Sequence, residues 1–505
     1  MRKNSKEQQN KAKQSKGGAF GNMESDTHRD EEQRTKKIDA ASRLGVEPVG
    51  RLLWRFSLPA IAGMMVNALY NVVDRIFVGR GVADIALGGL SLVMPIMIIS
   101  MAFAMLFGVG AANMISIRLG QQRRADAENA LTHCFLLLAG AGAVMMVLGM
   151  IFLDPLLSLM GAQEGSQALG YARDYLRIIL FGQVFGLLGF GMSHCARAQG
   201  FPMVTMIAMF MGAGINVLLD GIFIFGFHWG VEGAAWATVA AQTASSLWVL
   251  YFNFSKKAVV RIRLRILRFS WRIVAQIMSF GSAQFFLQIA VSVVALVLNI
   301  CTGLYGAAAL GVANGGDIAL AGVTIVNSVT LLLFMPIFGI NQGAQPLLGY
   351  NYGARKFARV LKAYGWAVAG ATAISCVGFI LIMLFPHWIV HLFAPDGGEA
   401  LLDFTAWAMR VTVIMLPVTG FQIVSSNMFV VTGRPKTSIV LTLLRQIILL
   451  LPSMLIFGWL WGLHGVVAAA PFADVISVLI TAALVYAELK KLRAGAKLEA
   501  AAGSG

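Results

Sequence analysis

The chain has 505 residues, 58% of them apolar and only 13% charged, with a formal net charge of +16. A soluble protein of this length would be about 25% charged and would divide into several globular domains, so an ordinary soluble fold is excluded. A positive balance can signal a nucleic-acid partner, but here the basic residues lie between apolar runs. Seven of them (Lys256, Lys257, Arg261, Arg263, Arg265, Arg268, Arg272) share one segment. That is how cytoplasmic membrane loops are charged, so the expected surroundings are a lipid bilayer and not nucleic acid.

Residues 1–50 have no apolar core. They read as a disordered cytoplasmic tail and not as a cleaved signal peptide. Apolar runs punctuated by Gly, Pro or charge then predict twelve transmembrane helices, starting near residues 52, 86, 129, 168, 201, 232, 273, 318, 356, 400, 435 and 463. With the N-terminus inside, the even-numbered connections are cytoplasmic. They carry Arg118, Arg123, Arg124 and Arg197, the basic segment above, then Arg355, Lys356, Arg359, Lys362, Arg434 and Lys436. The odd connections hold mainly Arg75 and Arg80 among acids such as Asp84, Asp154 and Glu164. Both termini are therefore expected in the cytoplasm. Cys134, Cys195, Cys301 and Cys376 fall inside apolar runs without paired spacing, which argues against a disulfide framework or a metal site.

An internal repeat sharpens this architecture. At an offset of 233 residues ALGGLS (86–91) recurs as ALAGVT (319–324), Gly110 and Gly120 recur as Gly343 and Gly353, and QGFP (199–202) recurs as TGRP (432–435). Six helices per repeat give both halves the same orientation. The expected fold is an all-α polytopic membrane protein with two pseudo-symmetric six-helix lobes around a central cavity. The lobes are residues 51–255 and 273–490, joined by the basic linker 256–272 and followed by a C-terminal tail, 491–505. Such a duplication suits alternating access.

Ionisable groups inside the spans carry the functional signal, since one at the bilayer centre costs about 2.5 to 3.5 kcal/mol on insertion scales. Asp74 lies in NALYNVVDRIFVG of the first span and Asp220 in GINVLLDGIFIFG of the fifth. Asn216 is one turn before Asp220, on the same helix face. Their second-half counterparts fall near Leu296 and Ser453, so the acids belong to the first half alone. Asp74 could merely neutralise Arg75, and Asp220 could be a polar residue near a span end. Alternatively the two form a cation site, because a carboxylate held out of water gains by taking up a proton or sodium ion. Arg445 and Asp474 could pair within the second half or serve transport. His194 reads as a helix-packing residue, and His387 and His391 lack a third metal ligand. Met64, Met65, Asn67, Phe286 and Gln288 are candidates to line an adaptable cavity.

The stretch LPAIAGMMVNALYNVVDRIFVG followed by LGGLS resembles the first two helices of the multidrug and toxic compound extrusion (MATE) family, and is similar to its MepA-like bacterial exporters. Motifs over residues 50–490 continue the resemblance: Tyr175 in ARDYLRI, Asn216 and Asp220 in NVLLD, and Thr238 in GAAWATVA. It implies an antiporter of the bacterial inner membrane, with no cofactor, that expels cationic or amphipathic drugs in exchange for protons or sodium ions. Asp74 and Asp220 would be the ion-binding carboxylates, Asn216 and Thr238 neutral oxygen ligands to sodium, and Tyr175 their hydrogen-bond partner. Pro59 would be a bend point of helix one, and the protein a monomer. Some relatives carry a glutamate in helix seven where this chain has Leu287 and Gln288. A flippase of lipid-linked precursors is the alternative within the superfamily, and would line its cavity with Arg or Lys. A membrane-embedded enzyme would need a nucleophile or metal constellation that the spans do not offer.

Overall fold

The computed structural model describes residues 42–81, 84–160, 166–264, 269–309, 315–395 and 398–503. Within 71–88 it describes only the backbone of most of them, Asp74 included. Among the described residues the chain is helical, without a strand. The first half comprises α1 (Val49–Gly81), α2 (Asp84–Gly120), α3 (Arg124–Ile151), the short α4 (Leu153–Leu159), α5 (Gln167–Ala198), α6 (Pro202–Asp220) and α7 (Gly230–Phe254). The second comprises α8 (Trp271–Ala309), α9 (Gly315–Gly353), α10 (Phe357–Leu384), the short α11 (Pro386–Phe393), α12 (Glu399–Val413), α13 (Leu416–Val431), α14 (Pro435–Leu443) and α15 (Leu451–Gly503). A π-helical turn, Gly221–Gly226, prolongs α6, and another, Leu444–Leu450, joins α14 to α15.

Among the described residues nine helical stretches are long and apolar enough to cross a membrane, or ten if α12 and α13, bent by 47° at their junction, form one span. Twelve runs were expected, and the difference has two sources. The α7 helix, rich in Ala, Thr and Ser and opening with Glu232, is not among the ten. From Pro435 onward two helices follow each other without a gap, meeting at a kink at Gly462 (φ 59°, ψ −141°), so this stretch counts once.

The repeat seen in the sequence is also a repeat of backbone conformation. Gly200 and Gly433 both adopt positive φ (99° and 79°), each ending a helix just before a proline that opens the next, Pro202 and Pro435. The closing hydrogen bonds correspond as well, Phe201 N to Ala196 O and Arg434 N to Phe429 O. Left-handed glycine followed by proline at the first helical turn is the expected stop-and-start chemistry. Gln122 and Arg355, also one repeat apart, share positive φ (60° and 56°) in the turns after α2 and α9.

Glycines set how closely the halves approach. A Cβ on Gly120 would overlap the Tyr350 carbonyl, and one on Gly353 would overlap the Ile117 carbonyl. The contact between α2 and α9 is therefore reciprocal under the 233-residue offset. Likewise Gly110 and Gly281 bring α2 against α8, while Gly343 and Gly339 bring α9 against α1 at Ser57 and Ile61. Small residues of this kind allow apolar helices to pack where lipid supplies no hydrophobic drive.

The ends differ from the expected boundaries. Leu44 and Val49 are buried, and the Leu44 carbonyl accepts from Asn351 Nδ2 (3.0 Å) and Arg359 Nη2 (3.2 Å), so residues 42–50 dock on the second half. Residues 1–41 lie outside the described set. At the other end α15 runs through the expected tail to Gly503, and Ala358 N donates to Glu499 there (3.3 Å). The linker is packed against the first half over its described part. Val260 N donates to Gln199 Oε1 (3.0 Å), Arg263 N to Thr132 Oγ1 (3.2 Å) and Ser270 N to His133 Nε2 (3.0 Å).

Candidate substrate cavity and coupling site

A cavity of about 260 Å³ lies within the first half, walled by α1, α2, α5, α6 and α7 and closed from the other half by Met335 and Gln342 of α9. Helical periodicity builds it. On α5 the residues facing it are Gly186, Gly189, Phe190, Ser193, His194 and Arg197, spaced by three or four and therefore on one stripe. On α6 and α7 small residues such as Gly212, Ala213 and Ala241 leave the space that bulkier side chains would fill. Five methionines (Met64, Met101, Met105, Met209, Met335) supply a soft, adaptable apolar wall. The volume falls just below the roughly 300 to 1,000 Å³ of drug-sized sites, so a large ligand requires the walls to part.

At one end of this cavity Asn216 Nδ2 donates to Thr238 Oγ1 at 3.3 Å, joining α6 to α7. Both residues line the cavity and are buried. The Asn216 Oδ1 atom is buried and has no hydrogen-bond partner among the described residues. Asp220, one turn further along, is fully buried at the last residue of α6, where the π-helical turn begins. Such a widened turn shifts the register of side chains around it and often marks functional positions. Tyr175 is buried in an apolar cluster with Ile224, Ala234 and Ala235, on the segments that flank Asp220 and Thr238. Asp74 is on α1, but its side chain lies outside the described residues.

The remaining sequence candidates separate. Met64 and Asn67 line the cavity, whereas Phe286 and Gln288 do not. Phe286 packs edge-on against Phe285, and the Gln288 amide lies 3.7 Å from the sulfur of Met101. Gln288 thus meets α2 from α8, at a methionine that lines the cavity, while Phe286 is exposed. Pro59 is buried inside an unbroken α1, where it deprives the Arg55 carbonyl of its helical donor. Among the described residues no cluster of three or more His, Cys, Asp or Glu could hold a metal ion. A sodium ion would instead be held by oxygens, and the unpartnered Asn216 Oδ1 beside Thr238 suits one.

Comparison with known proteins gives this arrangement its context. The family model described as MatE matches residues 59–222 and 295–456, covering most of both halves. The chain belongs to the MatE family. Multidrug export protein MepA of Staphylococcus aureus (strain MRSA252) is 27% identical over 443 residues, spanning 87% of this chain and 94% of MepA. A solved outward-facing multidrug resistance MATE family transporter of the MOP superfamily superposes with a TM-score of 0.83 at 27% identity, covering 90% of this chain and 98% of that one. A MATE crystal structure in the bent conformation gives a TM-score of 0.82 at 26% identity, covering 92% and 99%.

Two features of this MatE protein escaped the sequence. Arg197, counted there among cytoplasmic loop charges, is in fact 2% exposed and lines the cavity. Its Nη2 lies 3.0 Å from His194 Nδ1, and its Nη1 donates to Gln342 Oε1 on α9. Its position three residues from Gly200 makes it resemble a helix-end charge, and only the periodic stripe from Gly186 onward points inward. The second feature is His133, whose Nδ1 meets Asn129 O (2.8 Å) while Nε2 accepts from the Ser270 amide. It ties the linker to α3 and stacks on Phe269. In the second half the half-buried Arg445 pairs with the buried Asp474 at 2.5 Å, one of the two roles that the sequence left open.

Proposed function

We propose that the chain is a secondary active antiporter that exports cationic or amphipathic aromatic drugs in exchange for protons or sodium ions. The observation that carries this reading is the methionine-walled cavity with Asn216 and Thr238 hydrogen-bonded at one end and Asp220 buried beside them. The named export function of the MepA relatives and the MATE structural neighbours support it.

Counting α7 as a span, α12 with α13 as one bent span, and the break at Gly462 as a boundary gives six spans on each side of the linker. On that count residues 51–255 and 273–490 are two lobes, both termini are cytoplasmic, and the protein sits in a bacterial cytoplasmic membrane. A single chain encloses the whole cavity, consistent with a monomer. Asp74 and Asp220 bind the coupling ion, Asn216 and Thr238 contribute oxygens, and Tyr175 positions the acids. One positive charge moving inward contributes about 2.3 kcal/mol per 100 mV; a monovalent cationic drug moving outward costs the same, so a second inward charge is what expels it against a gradient of more than tenfold.

The test is ethidium accumulation in inverted vesicles under separately imposed sodium and proton gradients, with Asp220→Asn alongside. Accumulation that depends on one gradient and vanishes in Asp220→Asn is expected. Accumulation indifferent to both gradients rules out secondary transport.

A further inference from the structure

The cavity contains a charge that the antiport reading does not use. Among the described residues lining it, Arg197 alone carries a permanent charge. Its side chain is 2% exposed and forms no ion pair with a carboxylate among the described residues. Its two contacts, Gln342 Oε1 and His194 Nδ1, are neutral acceptors, and its Nε has no hydrogen-bond partner among the described residues. A guanidinium offers five N–H donors in a fork that matches a carboxylate. A buried cation left without a counter-ion is strongly unfavourable unless something answers it, and among the described residues only amide and imidazole lone pairs do.

The stripe on α5 gives the cavity a direction. From Gly186 to Arg197 it extends about 16 Å at 1.5 Å per residue, with the guanidinium at the end nearest the turn at Gly200. The middle is walled by methionines and Phe190, which accept flat apolar bodies without a fixed shape. Such a cavity suits an elongated aromatic molecule with an acidic group at one end.

We propose that Arg197 makes this cavity select amphipathic aromatic acids, the ligand's carboxylate docking on the guanidinium in place of the Gln342 carbonyl. The inference narrows the export reading to its amphipathic, non-cationic substrates and rests on it for the ligand's fate, but not for its binding. Charge-assisted, two-point contacts are the strong class of hydrogen bond, so the exchange of a neutral acceptor for an anion favours the bound acid. It also has a mechanical consequence. Gln342 belongs to α9 and Arg197 to α5, so a ligand that takes over the guanidinium releases one contact between the halves.

Naphthylacetate and naphthylacetamide, an acid and a neutral amide of the same shape, separate charge from fit. Binding of each to the purified full-length protein is measured by fluorescence quenching. The wild type is expected to bind the acid at least tenfold more tightly than the amide. Arg197→Gln is expected to bring that ratio close to one, and Arg197→Lys to retain part of it. A wild-type ratio of one or below overturns the proposal, and so does a ratio that Arg197→Gln leaves unchanged. Should Arg197→Gln fail to fold, Gln342→Ala decides: removal of the competing carbonyl must preserve or raise acid affinity, and a fall refutes the exchange. Vesicles that accumulate neither naphthylacetate nor ethidium under any gradient would defeat the export reading, while the acid-to-amide ratio still reports on Arg197.

Discussion

The reciprocal glycine contact between α2 and α9 is the most direct place to test how the halves are held. In Gly120→Ala the new Cβ would overlap the Tyr350 carbonyl oxygen and stand 2.9 Å from Ala354 N, about 0.5 Å short of ordinary van der Waals contact for that atom. Both neighbours are backbone, so no side chain can rotate away and the helices themselves must separate. Overpacking of this kind costs about 1 to 3 kcal/mol. If only the closed arrangement suffers, the ratio of closed to open molecules falls roughly 5- to 150-fold. Spin labels introduced as cysteines at the exposed Ala125 and Ala358 sit beside the two turns that follow these helices. Their distance distribution, read by double electron–electron resonance, is expected to gain a longer component. Gly353→Ala should behave alike, because its Cβ meets the Ile117 carbonyl, and the double variant should shift by less than the sum since both relieve the same contact. An unchanged distance distribution together with an unchanged melting temperature would refute the reasoning.

Three other substitutions probe other parts of the molecule. Thr238→Val keeps the shape but removes the acceptor of the 3.3 Å bond from Asn216. Loss of about 1 kcal/mol of positioning should raise the driving-ion concentration for half-maximal ethidium transport severalfold, and an unchanged value counts against a coupling role. Arg445→Ala strands the mostly buried Asp474 and should destabilise by about 3 kcal/mol, whereas Arg445→Met with Asp474→Leu should cost far less. Equal melting temperatures for the two variants would deny that the pair is structural. His133→Phe retains the stack on Phe269 but loses the acceptor for the Ser270 amide, so limited proteolysis within 255–270 should accelerate about fivefold, as expected for the loss of about 1 kcal/mol of local protection; an unaltered cleavage rate would show that the linker is held by its other contacts.

What the sequence alone determined about this protein follows from interactions local in the chain. Apolar length dictates helices that cross a bilayer, since every backbone group must be satisfied within the segment. The punctuation at QGFP and TGRP stops and restarts helices because glycine adopts positive φ and proline is preorganised for a first turn, and both turns have that form. Asn216 and Asp220 were legible together because one turn of helix separates them. The break at Gly462 falls where the punctuation set a helix start near residue 463, although hydropathy runs on across it.

Only the tertiary structure decided which side chains share the cavity, because that depends on the angles at which stripes on different helices face one another. Arg197 looks like a loop charge until α5 is rotated against α6 and α9, which turns it inward toward Gln342. Phe286 and Gln288, on α8, are not among the residues lining the first-half cavity, although the Gln288 amide reaches Met101, which does line it. Residues 42–50 and 491–503 read as tails because their partners, Asn351, Arg359 and Ala358, lie more than a hundred residues away along the chain. Composition registers solubility and span length, but contact between remote segments is fixed by close packing in three dimensions, and that packing leaves no periodic trace in either segment alone.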